Sequence, residues 1–99
     1  MGVKPVEYHE GAAADVRNAV AWYRERSRAA AVDFVQELQR AVDTIVAAPE
    51  RWPAGKHNTR RFLLWRFPFA VIYSELESTI VIWAVAHGSR HPEYWRDRL

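Results

Sequence analysis

The run Thr79-Ile80-Val81-Ile82-Trp83-Ala84-Val85-Ala86 is apolar at odd and even positions alike. Side chains alternate across a strand, so this segment buries both of its faces and reads as the most enclosed strand of the fold. The rest of the chain must supply the cover. Residues 1–99 are few enough to form one domain around one modest core.

Two helices provide most of that cover. Val16, Ala19, Val20 and Tyr23 recur at i, i+3, i+4 and i+7 and predict an amphipathic helix starting near Ala12. Ala31, Phe34, Val35, Leu38, Val42, Ile45 and Val46 hold one face of a second helix for four turns, and Pro49 ends it. Ser27 between them suits an N-cap, so the pair should form an antiparallel hairpin. Val3–Tyr8 predicts a short first strand with Pro5 at its edge. Residues 49–58, with Pro49, Pro53, Gly55 and Asn58, read as a loop. Arg60–Arg66 and Phe69–Ser74 follow as strands separated by a turn at Pro68. Pro92 is placed to open a short terminal helix that Trp95 anchors to the body. The expected fold is α+β. Its order is strand-helix-helix-strand-strand-strand, an antiparallel sheet with the helical hairpin on one face and a short C-terminal helix.

Composition narrows the chemistry. There is no cysteine, which excludes a disulfide scaffold, a thiolate metal site and a cysteine nucleophile, and fits a cytoplasmic location. No apolar run approaches ~20 residues, so no membrane span is expected, and Met1-Gly2-Val3-Lys4-Pro5 lacks the apolar core of a secretory signal. Twelve of the fourteen basic residues are arginine. Residues 51–74 carry Arg51, Lys56, Arg60, Arg61 and Arg66 and no acid, whereas the segments on either side are slightly acidic. Concentrated guanidinium points to an anionic partner, because the planar fork grips phosphate or carboxylate in bidentate fashion.

Arg60 and Arg61 are adjacent, so a strand sends them to opposite faces. Arg66 joins the face of Arg60 only if no bulge intervenes. His87 continues the alternation of Val81, Trp83 and Val85 and stands at the strand's end, as an acid–base group or as a cap for the turn at Gly88-Ser89. Arg90 occupies the loop between that strand and the tail, where a guanidinium reaches a bound anion. Tyr94 and Arg98, four residues apart, share a helical face. His87 and His91 do not make a metal pair, since Gly88 and Pro92 interrupt a helix between them; neither metal nor cofactor is expected.

The chain resembles the RelE/ParE superfamily of toxins from bacterial type II toxin–antitoxin pairs, some of which act in plasmid stabilisation. The resemblance spans nearly the full length. It rests on Tyr8 and the Ala-rich helix with Trp22-Tyr23, and on Phe34, Leu38, Val42 and Ile45 leading to Ala48-Pro49. It continues through Thr59-Arg60-Arg61-Phe62, Phe67-Pro68-Phe69 and Val71-Ile72-Tyr73 to Ala84-Val85-Ala86-His87 with Arg90, Pro92, Tyr94-Trp95 and Arg98. It implies a small sheet with a helical hairpin, a cognate antitoxin as partner, and an oligomeric state set by the antitoxin complex.

The superfamily divides in activity. RelE-like members are endoribonucleases that cut mRNA on the ribosome without metal, through attack of the ribose 2′-hydroxyl on its own phosphate. ParE-like members act on DNA gyrase instead. Placed by the resemblance, Arg61, Arg90 and Tyr94, with His87 as an alternative acid–base group, match the equipment of the first type. Lys56, Arg60, Arg66 and Arg98 are candidates for binding nucleic acid or partner. The lysine cluster of the cleaving members is missing, since only Lys4 and Lys56 occur, and the long hairpin resembles the gyrase-directed type. A non-toxic RNA- or peptide-binding module of the same fold is the third reading.

Overall fold

The computed structural model describes residues 3–99; Met1 and Gly2, the start of the amino-terminal stretch read above, lie outside the described residues. After β1 (Val6–Tyr8) come α1 (Glu10–Arg26) and α2 (Arg28–Ala47). His9 caps α1: its Nδ1 accepts the Gly11 amide at 2.9 Å. Ser27 alone makes the joint. Its amide donates to the Tyr23 carbonyl, closing α1, and its Oγ accepts the Ala30 amide at 3.1 Å, opening α2. A single-residue joint folds the helices back on each other.

The inner stripe of α2 comprises Ala31, Phe34, Leu38, Ala41, Val42 and Ile45, all buried. Val35, expected on that stripe, faces outward at 46% exposure. Glu37 takes an inward place instead, three residues after Phe34 and four before Ala41. Phe34 is the hub. Its ring centroid lies 5.0 Å from Phe69, 5.4 Å from Phe67 and 5.5 Å from Tyr23. Each fully buried large side chain stabilises the fold by about 1.5–3 kcal/mol.

The sheet is completed by β2 (Arg60–Leu63), β3 (Phe69–Glu75) and β4 (Ile80–His87), in spatial order β1-β4-β3-β2. The last three strands form the expected antiparallel meander. β1 departs from expectation by pairing parallel with β4, so the sheet is mixed. Tight turns force β2, β3 and β4 to alternate; β1 is linked to β4 through two helices and two strands, a crossover that permits a parallel pairing.

The register slips between Ile72 and Tyr73, where β4 carries one extra residue at Trp83. Ile80 and Ile82 face the helices before the slip and Val85 after it. His87 therefore continues Val85, but not the Val81–Trp83 row to which the simple alternation assigned it. The other face of the sheet carries Ala70, Ile72, Ala84 and Ala86. These short side chains leave room for Trp95, which lies on them at 5% exposure.

The tail is not an α-helix from Pro92. Residues 92–95 are turns and Arg96–Arg98 form one 3₁₀ turn. The amides of Tyr94, Arg96 and Arg98 all donate three residues back, the tighter pattern of a short segment. β2 also ends earlier than expected, at Leu63. Glu37 accepts the Trp65 and Arg66 amides and draws that stretch out of the ladder.

Candidate functional site

Because β1 is only three residues long, it covers β4 no further than Ile82. Beyond that point side chains satisfy the strand's outer edge. Asp15 of α1 accepts the Val85 amide at 3.1 Å on Oδ2. The same oxygen accepts the Tyr94 hydroxyl at 2.9 Å and Arg98 Nη1 at 2.8 Å, while Oδ1 accepts Arg98 Nη2 at 3.3 Å. Arg98 Nη1 also donates to the Trp83 carbonyl at 2.9 Å. The Asp15 side chain is 8% exposed, so these are sheltered, charge-assisted bonds. Burial, then the bond to Asp15, pushes the Tyr94 hydroxyl up to about 12. Asp15 likewise raises Arg98, which holds its proton more firmly than usual.

Arg90 rests on this assembly. Its guanidinium carbon lies 3.9 Å from the centre of the Tyr94 ring, a cation–π contact, and the side chain makes no ion pair among the described residues. Arg90 and His87 stand together at the mouth of two clefts. One, of about 540 Å³, runs toward α1 between Trp22, Tyr23, Pro68 and Phe69. The other, of about 100 Å³, lies on the Trp95 face and includes Arg61. His87 Nδ1 accepts the Ser89 amide at 3.0 Å and lies 2.8 Å from Ser89 Oγ. An imidazole whose Nδ1 accepts carries its proton, when neutral, on Nε2. The exposed nitrogen is then a donor.

The fold thus brings Arg61, His87 and Arg90 to one groove, with Tyr94 beneath Arg90. It disperses the remaining candidates. Arg60, on the opposite face from Arg61, donates to the Glu50 and Trp52 carbonyls. Lys56 pairs with Glu93 at 3.1 Å, and His57 Nε2 lies 3.1 Å from the same carboxylate. The His57 bond, ahead of that from Lys56, holds Glu93 below the ordinary carboxylate range. Arg66 Nε donates to Glu37 at 3.1 Å, and Arg98 is spent on Asp15. Of the basic stretch 51–74, Arg61 is the cation that reaches the groove unpaired among the described residues. No group of three or more acidic or histidine side chains suited to a metal occurs among the described residues. None of their helices is long and apolar enough to cross a membrane.

A family model described as "ParE toxin of type II toxin-antitoxin system, parDE" matches residues 6–92. The chain belongs to the ParE toxin family. A search of curated proteins finds no match. Among solved structures, one titled "Chromosomal ParDE TA system from P. aeruginosa" is similar with a TM-score of 0.75 at 19% identity, over 86% of this chain and 96% of that one. At that identity the likeness is one of fold. The ParE match identifies a toxin component of a toxin–antitoxin pair, which implies an antitoxin partner.

Two residues of this ParE-family chain escaped the sequence reading: Asp15 and Glu37. Both leave the same trace. Asp15 falls at i+3 from Ala12 and i−4 from Ala19, and Glu37 sits between Phe34 and Ala41, so each is a carboxylate on an apolar stripe. Acids almost never occupy such positions unless they are paired.

Proposed function

We propose that the chain arrests growth by binding DNA gyrase through the surface around Arg61, His87 and Arg90, without cutting nucleic acid, and that a cognate antitoxin silences it by covering that surface. The observation that carries this reading is the state of Tyr94. Its hydroxyl already donates to Asp15 and holds its proton to about pH 12. A general acid or base works best with a pKa near the working pH. His87 Nδ1 is already taken by the Ser89 amide, which leaves that nitrogen poorly placed for proton abstraction. Arg61 and Arg90 remain as exposed guanidinium groups, one of the residue types enriched among the anchors of protein interfaces. They also give an acidic antitoxin segment two charges to meet.

Ribosome-dependent mRNA cleavage is the second reading. It is favoured by the lining of one groove by Arg61, His87 and Arg90, two cations beside a proton donor.

The test uses toxin purified from its antitoxin complex. It is added to a gyrase supercoiling reaction and, separately, to a translating ribosome system in which mRNA ends are mapped. Inhibited supercoiling with intact message is expected. Arg90→Ala should weaken the inhibition about 30-fold, the effect of losing an interface anchor worth about 2 kcal/mol. Message cut within codons while supercoiling proceeds normally would establish the second reading in place of the first.

A further inference from the structure

Arg90 is exposed, yet the side chain of Asp15, the carboxylate that anchors its support, is buried. The side-chain interaction that orients Arg90 among the described residues is the Tyr94 ring at 3.9 Å. Tyr94 in turn is fixed by its hydroxyl, 2.9 Å from Asp15 Oδ2. Asp15 also fastens Arg98, so one carboxylate on α1 grips the tail at two points four residues apart. Trp95, between those points, seats against the alanines of the sheet's other face. The tail is thus a strap drawn round the uncovered edge of β4 and buckled to α1.

We propose that Asp15 is a positioning residue of the toxic surface: by holding Tyr94 and Arg98 it keeps the strap closed and sets Arg90 beside Arg61 and His87. The inference rests on Arg90 belonging to the surface that meets the target.

Gly11 supports it independently. Gly11 lies one turn before Asp15 on α1, and a Cβ built there would fall 2.3 Å from Arg98 Nε and 2.6 Å from its Cζ. The helix surface beneath the strap is therefore reserved for the Arg98 guanidinium. A side chain at residue 11 would meet the far end of the Arg98 side chain and displace its guanidinium. The Val85 amide adds a reason why the carboxylate is needed. It is a main-chain donor on a strand edge that β1 does not reach, and Asp15 accepts it with the same oxygen that takes Tyr94.

Asp15→Asn keeps the size of the side chain and removes its charge. Amide hydrogen exchange over residues 88–99 reads the strap directly, and inhibition of purified gyrase reads the surface. In Asp15→Asn, exchange over 88–99 should rise about tenfold or more while α2 and β3 keep their protection, because a sheltered charge-assisted set of bonds is lost locally. Inhibitory potency should fall toward that of Arg90→Ala. The double variant Asp15→Asn/Arg90→Ala should be no weaker than Arg90→Ala alone, since a positioning role has nothing left to position.

Gly11→Ala displaces the Arg98 guanidinium without altering a charge and should loosen the strap at that end, and so covers the case in which Asp15→Asn fails to fold. Three results would overturn the proposal: a strap that stays protected in the variants, a freed strap with full potency, or a double variant that loses the product of the two single effects. Full potency of Arg90→Ala would instead overturn the assignment of Arg90 to the target surface, and the positioning role would fall with it.

Discussion

Glu37 offers a stability test with a defined pH signature. Its carboxylate, 10% exposed, accepts the main-chain amides of Trp65 and Arg66 and the Nε of Arg66. Those three bonds tie α2 to the turn between β2 and β3. Glu37→Gln keeps the shape. Its one remaining acceptor oxygen can serve the two amides, but its NH₂ group then meets Arg66 Nε donor against donor. A hydrogen bond to a charged group contributes about 1.5–3 kcal/mol and a neutral one about 0.5–1.5. Demoting two at about 1–1.5 kcal/mol each and losing one at about 2 comes to about 4–5 kcal/mol. The Arg66 side chain is 46% exposed, so water compensates much of the Arg66 share and about 3 kcal/mol remains. In urea that moves the unfolding midpoint down by roughly 3 M if the slope is about 1 kcal/mol/M.

The pH dependence separates charge from shape. Burial pushes the Glu37 carboxyl upward, but the donors from Arg66 and Trp65 outweigh it and hold the group below its usual value of 4.5. A carboxyl lowered on folding stabilises the protein fully above its unfolded pKa, and the contribution disappears as pH falls through the folded pKa. The stability gap between wild type and Glu37→Gln should therefore be full at neutral pH and begin to close as pH falls below that usual value of 4.5. Urea titrations at neutral pH and at successively lower pH check it. A gap that stays constant into acid would show that the loss comes from packing and not from the anion, and no gap at neutral pH would refute the brace.

Two other changes test the buried hydroxyls. Tyr73, fully buried, donates to the Pro49 carbonyl at 2.6 Å, so Tyr73→Phe orphans that acceptor and should cost about 1–2 kcal/mol; an unchanged urea midpoint would sink the bond. Tyr94 should stay protonated to about pH 12, against a usual value of 10.0, and its ring-carbon NMR shift followed with pH reads this directly. Because folding raises this pKa, its contribution to stability is complete below pH 10 and fades as pH climbs toward 12. Ionisation of Tyr94 near the usual value of 10.0 would contradict the Asp15 bond.

The helices are legible in the sequence because their apolar residues repeat with the helical period, and Ser27 is recognisable as a cap whichever helix is considered first. Both faces of β4 are likewise visible in its composition. The parallel placement of β1 is not, since a strand separated from its partner by most of the chain carries no turn that declares its direction. Nor is the slip at Trp83, which moves His87 to the other face from the one strict alternation gives it. The candidate site is legible in part. Arg61, His87 and Arg90, which the resemblance set together, line one groove, whereas Lys56, Arg60 and Arg66 are absorbed by Glu93, by main-chain carbonyls and by Glu37. Net charge along a segment counts cations without their partners, and those partners lie up to 37 residues away in sequence. The same blindness hides Asp15, whose bonds to Tyr94 and Arg98 join opposite ends of the chain.

The two faces of the sheet divide the demands on this small protein. The large residues, Phe34, Ile45, Tyr73, Ile80 and Ile82, gather between sheet and hairpin, so most of the hydrophobic stabilisation lies on that side. The opposite face is built of Ala70, Ala84 and Ala86 with Ile72, too little to form a second core unaided. It becomes a surface only when the tail lays Trp95 on it and is tied to α1. Opening that tie would expose a few alanines and one tryptophan while the inner core stays closed. The groove can therefore be disabled without unfolding the domain, because the strap can open on its own and Arg90 depends on it.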